Sequence, residues 1–293
     1  MKLTKIVLIV AAASFAAGSA VAQEPIGEPS YLGMKRGRYV PAPAPVPETF
    51  NWYLRADIGI GFTDGGATDK GSYGNGPGLG SEFWSATPSQ INWFDAKSDP
   101  FFQGGIGFGK YMSPRFRMDV TIDAKTADQY GGAGTFTYDQ VTMPGGVPTG
   151  NTVTVTGIDR VDVIDGVGLI NAYLDLVPRG RFTPYVGVGA GFAVRYIDRT
   201  HDSLEEVGGG ASRIWSGTNK DTQFAPAISA TAGFAWAITP GTIVDVNYRY
   251  TYIGSVDTSM VITASDGAIT RSKISIDESH QHTIRAGLRW NIY

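Results

Sequence analysis

The residue types in this sequence that could support catalysis or ligand binding are three histidines, with a serine and a glutamate beside one of them. His201, His280 and His282 are the histidines of the sequence, and Glu278 and Ser279 directly precede His280. On a strand, His280 and His282 would share one face and could hold a metal ion or haem there. Ser279 and His280 would face opposite ways, which opposes a serine–histidine pair. We therefore predict no catalytic, cofactor-binding or metal-binding residues, with ligand binding by His280 and His282 as the alternative.

A second stretch with potential chemistry is rich in glycine and formally fits a phosphate-binding loop. GGIGFGKY (104–111) has the spacing G-x-x-x-x-G-K. Such a loop needs a serine or threonine after the lysine, and a helix whose N-terminus meets the phosphate. Here Tyr111 follows the lysine, and Met-Ser-Pro comes next. The stretch therefore favours a strand over a nucleotide site.

The N-terminus has the three parts of a secretory signal peptide. Lys2 and Lys5 precede a short apolar run, which ends at the small-residue site Ala-Val-Ala. Removal of residues 1–22 would change the net charge from −3 to −5, so the basic footprint of a nucleic-acid-binding protein is missing. The proline-alternating residues 23–50 predict an extended periplasmic leader ahead of one domain, 51–293. No cysteine is present to form a disulfide.

The domain shows an apolar–polar alternation of period two, which is the signature of β-strands. Eight such runs are centred on residues 52–62, 102–109, 116–125, 170–176, 182–196, 223–238, 244–252 and 283–292. Short connections containing MSPR, VPRGR and TPG alternate with long ones at about 63–99, 126–160, 197–222 and 255–278. In outer-membrane barrels, short turns are periplasmic and long loops are extracellular. The pattern predicts an all-β, closed, antiparallel, up-and-down barrel of eight transmembrane strands.

One face of these strands carries charges of both signs. They are Arg55, Asp57, Arg117, Asp119, Asp123, Lys125, Asp175, Arg195, Asp245, Arg249, Arg285 and Arg289. An eight-stranded barrel has an interior that side chains just fill. We therefore expect these side chains to form a paired network in the lumen and not to line a wide channel. Gly187, Gly189 and Gly191 share the inward parity and would leave room for the larger side chains.

The other face is apolar, and its aromatic side chains cluster near the strand ends. Trp52, Phe116, Phe182, Trp236 and Trp290 fall near the short turns, whereas Phe62, Phe102, Tyr196, Phe224 and Tyr252 fall near the long connections. Two aromatic girdles around an aliphatic band are what a lipid-facing wall requires. We therefore predict that these ten residues lie at the two membrane interfaces.

The long connections contain signals of their own. Residues 135–157 and 259–276 read as hairpins that prolong the barrel, and the second contains Asp266-Gly267, a two-residue turn signal. A ten-stranded barrel, with that turn on the periplasmic side, is the alternative. The first long connection contains Trp84, Trp93 and Phe94, so it is the best candidate for a surface that binds other molecules.

Several segments carry a resemblance to a known group of proteins. FTPYVGVGAGFA, NAYLDL, VNYRYTY and the terminal RAGLRWNIY resemble the small eight-stranded outer-membrane proteins related to the OmpA transmembrane domain. Within that group the chain is most similar to the alphaproteobacterial surface antigens of rhizobia and brucellae. The resemblance implies porin-like or structural antigens, some of which bind haemin, and no enzymatic activity. It also implies an assembly signal at the C-terminus, here Gly287, Trp290, Ile292 and Tyr293.

Together these observations predict an integral protein of the Gram-negative outer membrane, with both termini in the periplasm. Its expected partners are outer-membrane lipid and lipopolysaccharide, the outer-membrane assembly machinery and an extracellular ligand bound through the loops. The expected function is structural and surface-exposed, supporting envelope integrity and contact with the host or environment. Haemin binding or narrow porin-like transport is the first alternative, and a lipid-A-modifying enzyme is the distant one.

Overall fold

The computed structural model describes residues 52–74, 100–142, 147–176, 181–208 and 210–292. The predicted signal peptide and leader, the aromatic residues Trp84, Trp93 and Phe94, and Tyr293 lie outside the described residues. In the described part of the chain, no helix is long and apolar enough to cross a membrane.

The described residues form twelve strands. They are β1 (Trp52–Asp64), β2 (Ala67–Gly74), β3 (Pro100–Tyr111), β4 (Phe116–Lys125), β5 (Asp128–Thr142), β6 (Val147–Asp175), β7 (Phe182–Val207), β8 (Ala211–Thr239), β9 (Thr242–Ile253), β10 (Val256–Ala264), β11 (Ile269–Ile276) and β12 (Ser279–Ile292). Every pairing between them is antiparallel.

Eight of these strands close into a ring, which we call the barrel body. The order β1-β3-β4-β6-β7-β8-β9-β12 returns to β1, because β12 pairs with both β9 and β1. Closure leaves no unpaired sheet edge within the ring. The predicted eight-stranded antiparallel barrel is confirmed, and the ten-stranded alternative is wrong, since β10 and β11 lie outside the ring.

At one end of the body the connections are short, and the first and last ring strands also meet there. Trp52 pairs with both Ile292 and Lys110. The β3–β4 turn is closed by a hydrogen bond from the Met112 amide to the Phe116 carbonyl at 2.9 Å. We call this the short-turn end.

Beyond the other end, three ring strands continue and recruit four more strands into a sheet, which we call the extension. Its strand order is β2-β11-β10-β8-β7-β6-β5. Both predicted hairpins are confirmed in it, as β5–β6 and β10–β11. Gly267 turns the second hairpin with φ +87°, a conformation that glycine adopts without steric cost.

The prediction of a long loop at 197–222 is wrong. β7 continues to Val207 and β8 begins at Ala211, and their pairing runs from Val207↔Ala211 down to Phe182↔Trp236. This stretch is rich in serine, threonine and charged residues, a composition that is typical of loops. Their backbone groups are nevertheless satisfied by cross-strand pairing, and alternate side chains on the β7 part of the stretch are buried.

An apolar core fills the junction between the body and the extension. It is formed by inward side chains, among them Tyr130, Val161, Val163, Val167, Leu169, Ala193, Ile197, Ile253, Ile274 and Ile276. Below this core the inward side chains are mostly charged and polar. The core therefore separates two polar clusters, one in the body and one in the extension.

Candidate functional site: the filled interior and the outer wall

The centre of the body holds a continuous network of ion pairs. Arg55 donates from Nε and Nη2 to Asp57 Oδ2 and Oδ1, both at 2.8 Å, and from Nη1 to Asp119 Oδ2 at 3.1 Å. Arg285 Nη2 lies 2.7 Å from Asp57 Oδ2, and Arg249 donates to Asp123 at 2.9 Å. Each charge is taken out of water, so its partners must offset a large desolvation cost.

Aromatic rings complete this network toward the short-turn end. The Arg117 guanidinium carbon lies 4.2 Å from the Tyr173 ring centroid and 4.5 Å from that of Tyr185, between two rings that meet edge to face. Arg117 Nε also donates to Asp175 Oδ1 at 3.3 Å. A desolvated cation over an aromatic face is stabilised by about 2 kcal/mol. Tyr173 and Tyr185 thus help to replace the lost hydration of Arg117.

A second set of ion pairs lies at the level of the apolar core, where the Asp165↔Arg195 pair follows the core pair Val163↔Ile197. Arg195 donates to Asp165 Oδ1 at 3.1 Å and to Ser279 Oγ at 2.8 Å. Lys125 forms a short ion pair with Asp128 and lies 3.5 Å from Asp165 Oδ2. The carboxylate of Asp165 therefore joins β4, β6 and β7 across the interior.

Of the predicted lumen residues, all are buried except Asp175, whose side chain is 14% exposed. Five further charged residues are buried although they are not among the predicted ones, namely Asp128, Asp159, Asp165, Arg199 and Glu205. Four of these five lie in the predicted long connections at 126–160 and 197–222. Extending the inward parity of β6 and β7 by a few residues would have found Asp165 and Arg199.

The buried charges are balanced. Among the described residues, the buried cations are Arg55, Arg117, Lys125, Arg195, Arg199, Arg249, Arg285 and Arg289, and the buried carboxylates are Asp57, Asp119, Asp123, Asp128, Asp159, Asp165, Glu205 and Asp245. The two sets are equal at eight each. A neutral, paired interior is the low-energy arrangement for charges away from water.

The described residues of the body enclose one small cavity beside the ion pairs. A cavity of about 10 Å³ lies against Lys125, Asp165, Arg249 and Gln281. This volume is about what one water molecule requires. Water at this position would meet several polar groups, as buried water does.

The outer wall of the body is apolar all the way round. Each ring strand contributes a strongly exposed aliphatic side chain, namely Ile58, Ile106, Ile122, Ile170, Val188, Ile228, Val246 and Ile284, with exposed fractions from 48% to 72%. Monomeric proteins in water rarely expose a continuous apolar surface of this extent. The body therefore has the reverse of the usual arrangement, with charges inside and aliphatic side chains outside.

The ten predicted interface aromatics all lie on this outer wall. Nine are exposed and Tyr252 is half-buried. At the short-turn end, Trp52 stacks on Phe108 with centroids 5.0 Å apart, and Phe182 stacks on Phe234 at 5.0 Å. Lys110 Nζ lies 4.8 Å from the Trp52 ring centroid, which leaves a cation at the edge of the apolar band.

The histidines are divided between the two faces. His280 and His282 point outward near the extension, where their Nδ1 atoms lie 2.7 Å from Tyr250 Oη and 2.6 Å from Tyr248 Oη. Ser279 points inward to Arg195. Ser279 and His280 are therefore not a catalytic pair, as the parity argument predicts. Metal-binding clusters of three or more His, Cys, Asp or Glu are absent from the described residues.

The inward face of the extension holds a cluster that sequence analysis did not find. Asp159 on β6 receives two hydrogen bonds from Arg199, Nε to Oδ1 at 3.1 Å and Nη2 to Oδ2 at 2.6 Å. His201 Nδ1 lies 3.0 Å from Asp159 Oδ2, and His201 Nε2 lies 3.0 Å from Ser203 Oγ. Burial by itself would raise the pKa of Asp159, but the bonds from His201 and Arg199 outweigh it and lower the pKa.

Of the predicted assembly signal, the structure describes Gly287, Trp290 and Ile292. Trp290 and Ile292 are on the outer wall, and Gly287 faces inward beside Asp57. A Cβ on Gly287 would lie 2.2 Å from Asp57 Oδ1, so a larger residue would displace that carboxylate. Recognition of these residues during assembly stays a prediction.

The fold and site together define a class: a closed eight-stranded β-barrel with a filled, charge-balanced interior, an apolar outer wall and a sheet extension at one end. No family model matches the chain. An uncharacterised protein of Brucella abortus is 25% identical over 296 residues, which cover 97% of this chain and 94% of that protein. A Rickettsia conorii protein whose name proposes an adhesin is 25% identical over 199 residues, covering 67% of this chain and 70% of that protein.

Two solved structures are also similar. The outer membrane protein OprG from Pseudomonas aeruginosa has a TM-score of 0.40 and 13% identity, covering 83% of this chain and 98% of that chain. Neisserial surface protein A has a TM-score of 0.36 and 15% identity, covering 82% and 97%. Because both TM-scores are below 0.5, the fold is assigned from the closed ring of strand pairings and not from these two structures.

Proposed function

We propose that this chain is an integral outer-membrane protein of a Gram-negative bacterium, which anchors and displays the extension at the cell surface. The observation that carries the proposal is the apolar outer wall around a buried charge network. In lipid, backbone polar groups must be paired internally, and a closed barrel achieves this with strands. The aromatic side chains at both ends of the wall match the two membrane interfaces.

The orientation follows from the position of the connections. Short turns are periplasmic in such barrels, so the short-turn end faces the periplasm and the extension faces outside. Trp52 and Ile292 pair at the short-turn end, which puts both ends of the described domain there. The partners in this arrangement are outer-membrane lipid, lipopolysaccharide and the outer-membrane assembly machinery.

Within this class, a structural role with surface contact is better supported than transport. The buried charges of the described residues are balanced, and the cavity beside Asp165 has about the volume of one water molecule. The extension, by contrast, carries exposed apolar side chains such as Leu204 and Ile214 on its outward face. The name of the Rickettsia relative points to the same role of surface contact.

Gel mobility and surface proteolysis test the proposal together. A folded barrel should migrate differently before and after boiling, and protease added to intact cells should cleave the extension and leave the body. An unchanged band on boiling would contradict the barrel in the membrane. Cleavage only after the outer membrane is opened would contradict the orientation.

Haemin binding is the second candidate, and it rests on His280 and His282. Their rings lie on the outer wall among Tyr248, Tyr250 and Phe62, with Phe62 stacked on His282 at 4.8 Å. Titration of the refolded barrel with haemin should give a Soret shift that disappears in His280→Ala and His282→Ala. Absence of a shift in the unmodified protein removes this candidate.

A further inference from the structure

The cluster of Asp159, His201 and Ser203 has the connectivity of a nucleophile, a base and an orienting carboxylate. His201 and Ser203 are two residues apart on β7 and therefore share a face. Asp159 is the direct cross-strand partner of His201 on β6. The two contacts, carboxylate to Nδ1 and Nε2 to hydroxyl, are each 3.0 Å. This is the order and reach that an activated serine requires.

The protonation pattern follows from the charges around the imidazole. Arg199 donates to both oxygens of Asp159 and so holds it as a carboxylate. An ionised carboxylate only accepts, so it takes the Nδ1–H of His201. That leaves the Nε2 lone pair to accept the Ser203 hydroxyl proton. Asp159 and Arg199 are therefore positioning residues, whereas His201 and Ser203 would touch the substrate.

We propose that Ser203 and His201 hydrolyse small, soluble carboxylic esters that enter the extension from the solvent side. The cluster is on the inward face of the extension, opposite to the face that continues the outer wall. A membrane lipid would meet the outer wall and not this face. The apolar side chains of Met260 and Ile262 are also buried on the inward face, where they can contact a short acyl chain.

The neighbours of Ser203 fix the position of its Cβ. Gly157 and Trp215 are its cross-strand partners. A Cβ on Gly157 would lie 2.5 Å from the Ser203 Cβ, so only glycine leaves Ser203 where it is. Trp215 Nε1 donates to Glu205 Oε2 at 2.6 Å, which turns the Glu205 carboxylate toward β8.

The reaction balances with water as the co-substrate. Ser203 Oγ bonds to the ester carbonyl carbon, and its proton passes to His201 Nε2. The bond from the carbonyl carbon to the alkoxy oxygen breaks, and the leaving alcohol takes that proton from Nε2. Water then attacks the acyl-serine through the same base, which releases the carboxylic acid and restores the Ser203 hydroxyl.

The test uses the full chain, refolded in detergent and checked by its gel shift on boiling. A fluorophosphonate probe should label the protein covalently, and p-nitrophenyl butyrate should be hydrolysed. Ser203→Ala should abolish both, and His201→Gln should lower the rate by roughly 100-fold or more, the usual contribution of a general base. Ser216→Ala, an exposed serine on the outward face of β8, should behave like the unmodified chain.

Three results would overturn the proposal. The first is no labelling and no ester hydrolysis by the unmodified, gel-shifted protein. The second is activity that survives Ser203→Ala. The third is hydrolysis of phosphatidylcholine vesicles without hydrolysis of the soluble ester, which would place the chemistry at the outer wall. Because the gel shift is read on the same samples, failure of this proposal is distinct from failure of the barrel.

Discussion

At the scale of single residues, glycines in the interior of the body lie directly beside large polar side chains of neighbouring strands. A Cβ on Gly109 would lie 2.3 Å from the Tyr53 ring, and one on Gly187 would lie 2.3 Å from the Tyr173 ring. Glycine weakens an isolated strand because it has no side chain to pack. Here the space it leaves is filled by side chains from neighbouring strands, so the local cost is offset by packing across the barrel.

This arrangement predicts opposite outcomes for two adjacent leucine substitutions. A Cβ at Gly189 would lie 2.3 Å from Asn171 Oδ1 and 2.5 Å from Ser229 Oγ, whereas Val188 is 65% exposed on the wall. Gly189→Leu should prevent or slow barrel assembly, at a cost of at least the ~1–3 kcal/mol of overpacking. Val188→Leu should be tolerated. Folded yield by gel shift measures both, and equal yields would contradict the inward position of Gly189.

A pH effect belongs to the carboxylate of Asp159, which faces Arg199 and His201. Its pKa is lower in the folded chain than in the unfolded chain, so its contribution is fully present above the unfolded pKa. Stability of the extension should fall as pH decreases through the folded pKa, below about pH 4. Cleavage of the extension by an acid protease should rise in that range. In Asp159→Asn, the increase in cleavage at low pH should be smaller. If this variant is as acid-sensitive as the unmodified chain, another carboxylate is responsible for the effect.

At the scale of elements, the extension needs the strands of the barrel body in order to form, whereas the body does not need the strands added in the extension. β6, β7 and β8 run from the body into the extension, but β10 and β11 pair only with extension strands. The ring β1-β3-β4-β6-β7-β8-β9-β12 closes without them. The hairpin is therefore expected to open while the body stays folded.

A substitution in the β10–β11 turn tests this independence. Gly267 has φ +87°, which a β-branched residue adopts only with strain. Gly267→Val should destabilise the hairpin by about 1–3 kcal/mol. Limited proteolysis should then cut near 257–275 faster, with the gel shift of the body unchanged. Loss of the gel shift would show that the body needs the hairpin, and Gly241→Val, in a short turn with ordinary φ, provides the control.

For the whole molecule, the main feature is that charged side chains fill the interior and apolar side chains cover the outside, the reverse of a water-soluble protein. Charges in the interior are paired with one another, and aliphatic side chains cover the wall. In water such a wall would promote association, whereas in lipid it is stabilised.

A charge placed on the wall should therefore act differently from a charge on the extension. Ile170 is 60% exposed in the middle of the wall, and Leu204 is 37% exposed on the extension. Ile170→Arg should cost roughly 2–4 kcal/mol in the bilayer and reduce insertion. Leu204→Arg should leave insertion unchanged. The fraction of protein that resists extraction from vesicles measures both, and equal loss would contradict a membrane boundary between the two sites.

A filled interior also predicts low conductance. The unmodified protein in a planar bilayer should show no stable ion current, because the Arg55, Asp57 and Asp123 network closes the lumen. Replacing Arg55, Asp57 and Arg285 together by alanine should open a measurable current. A steady current through the unmodified protein would instead favour the porin-like alternative.

The sequence by itself determined the properties that depend on neighbouring residues. Alternation of Ile58, Ile60 and Phe62 with Asp57, Gly59 and Gly61 sets which face each side chain takes, because strand parity is local. Eight strand-like runs with alternating short and long connections were enough to predict the ring of eight strands. Asp266-Gly267 was enough to predict the β10–β11 hairpin.

Only the tertiary structure decided which distant residues meet. Arg249 reaches Asp123 across 126 positions of sequence, and Asp159 meets His201 across 42. These contacts depend on the register of whole strands and on closure of the ring, neither of which parity specifies. The stretch 197–222 shows the same limit: its composition resembles a loop, but pairing of β7 with β6 and β8 supplies the backbone hydrogen bonds that make it sheet. That pairing is also what brings Ser203, His201 and Asp159 together.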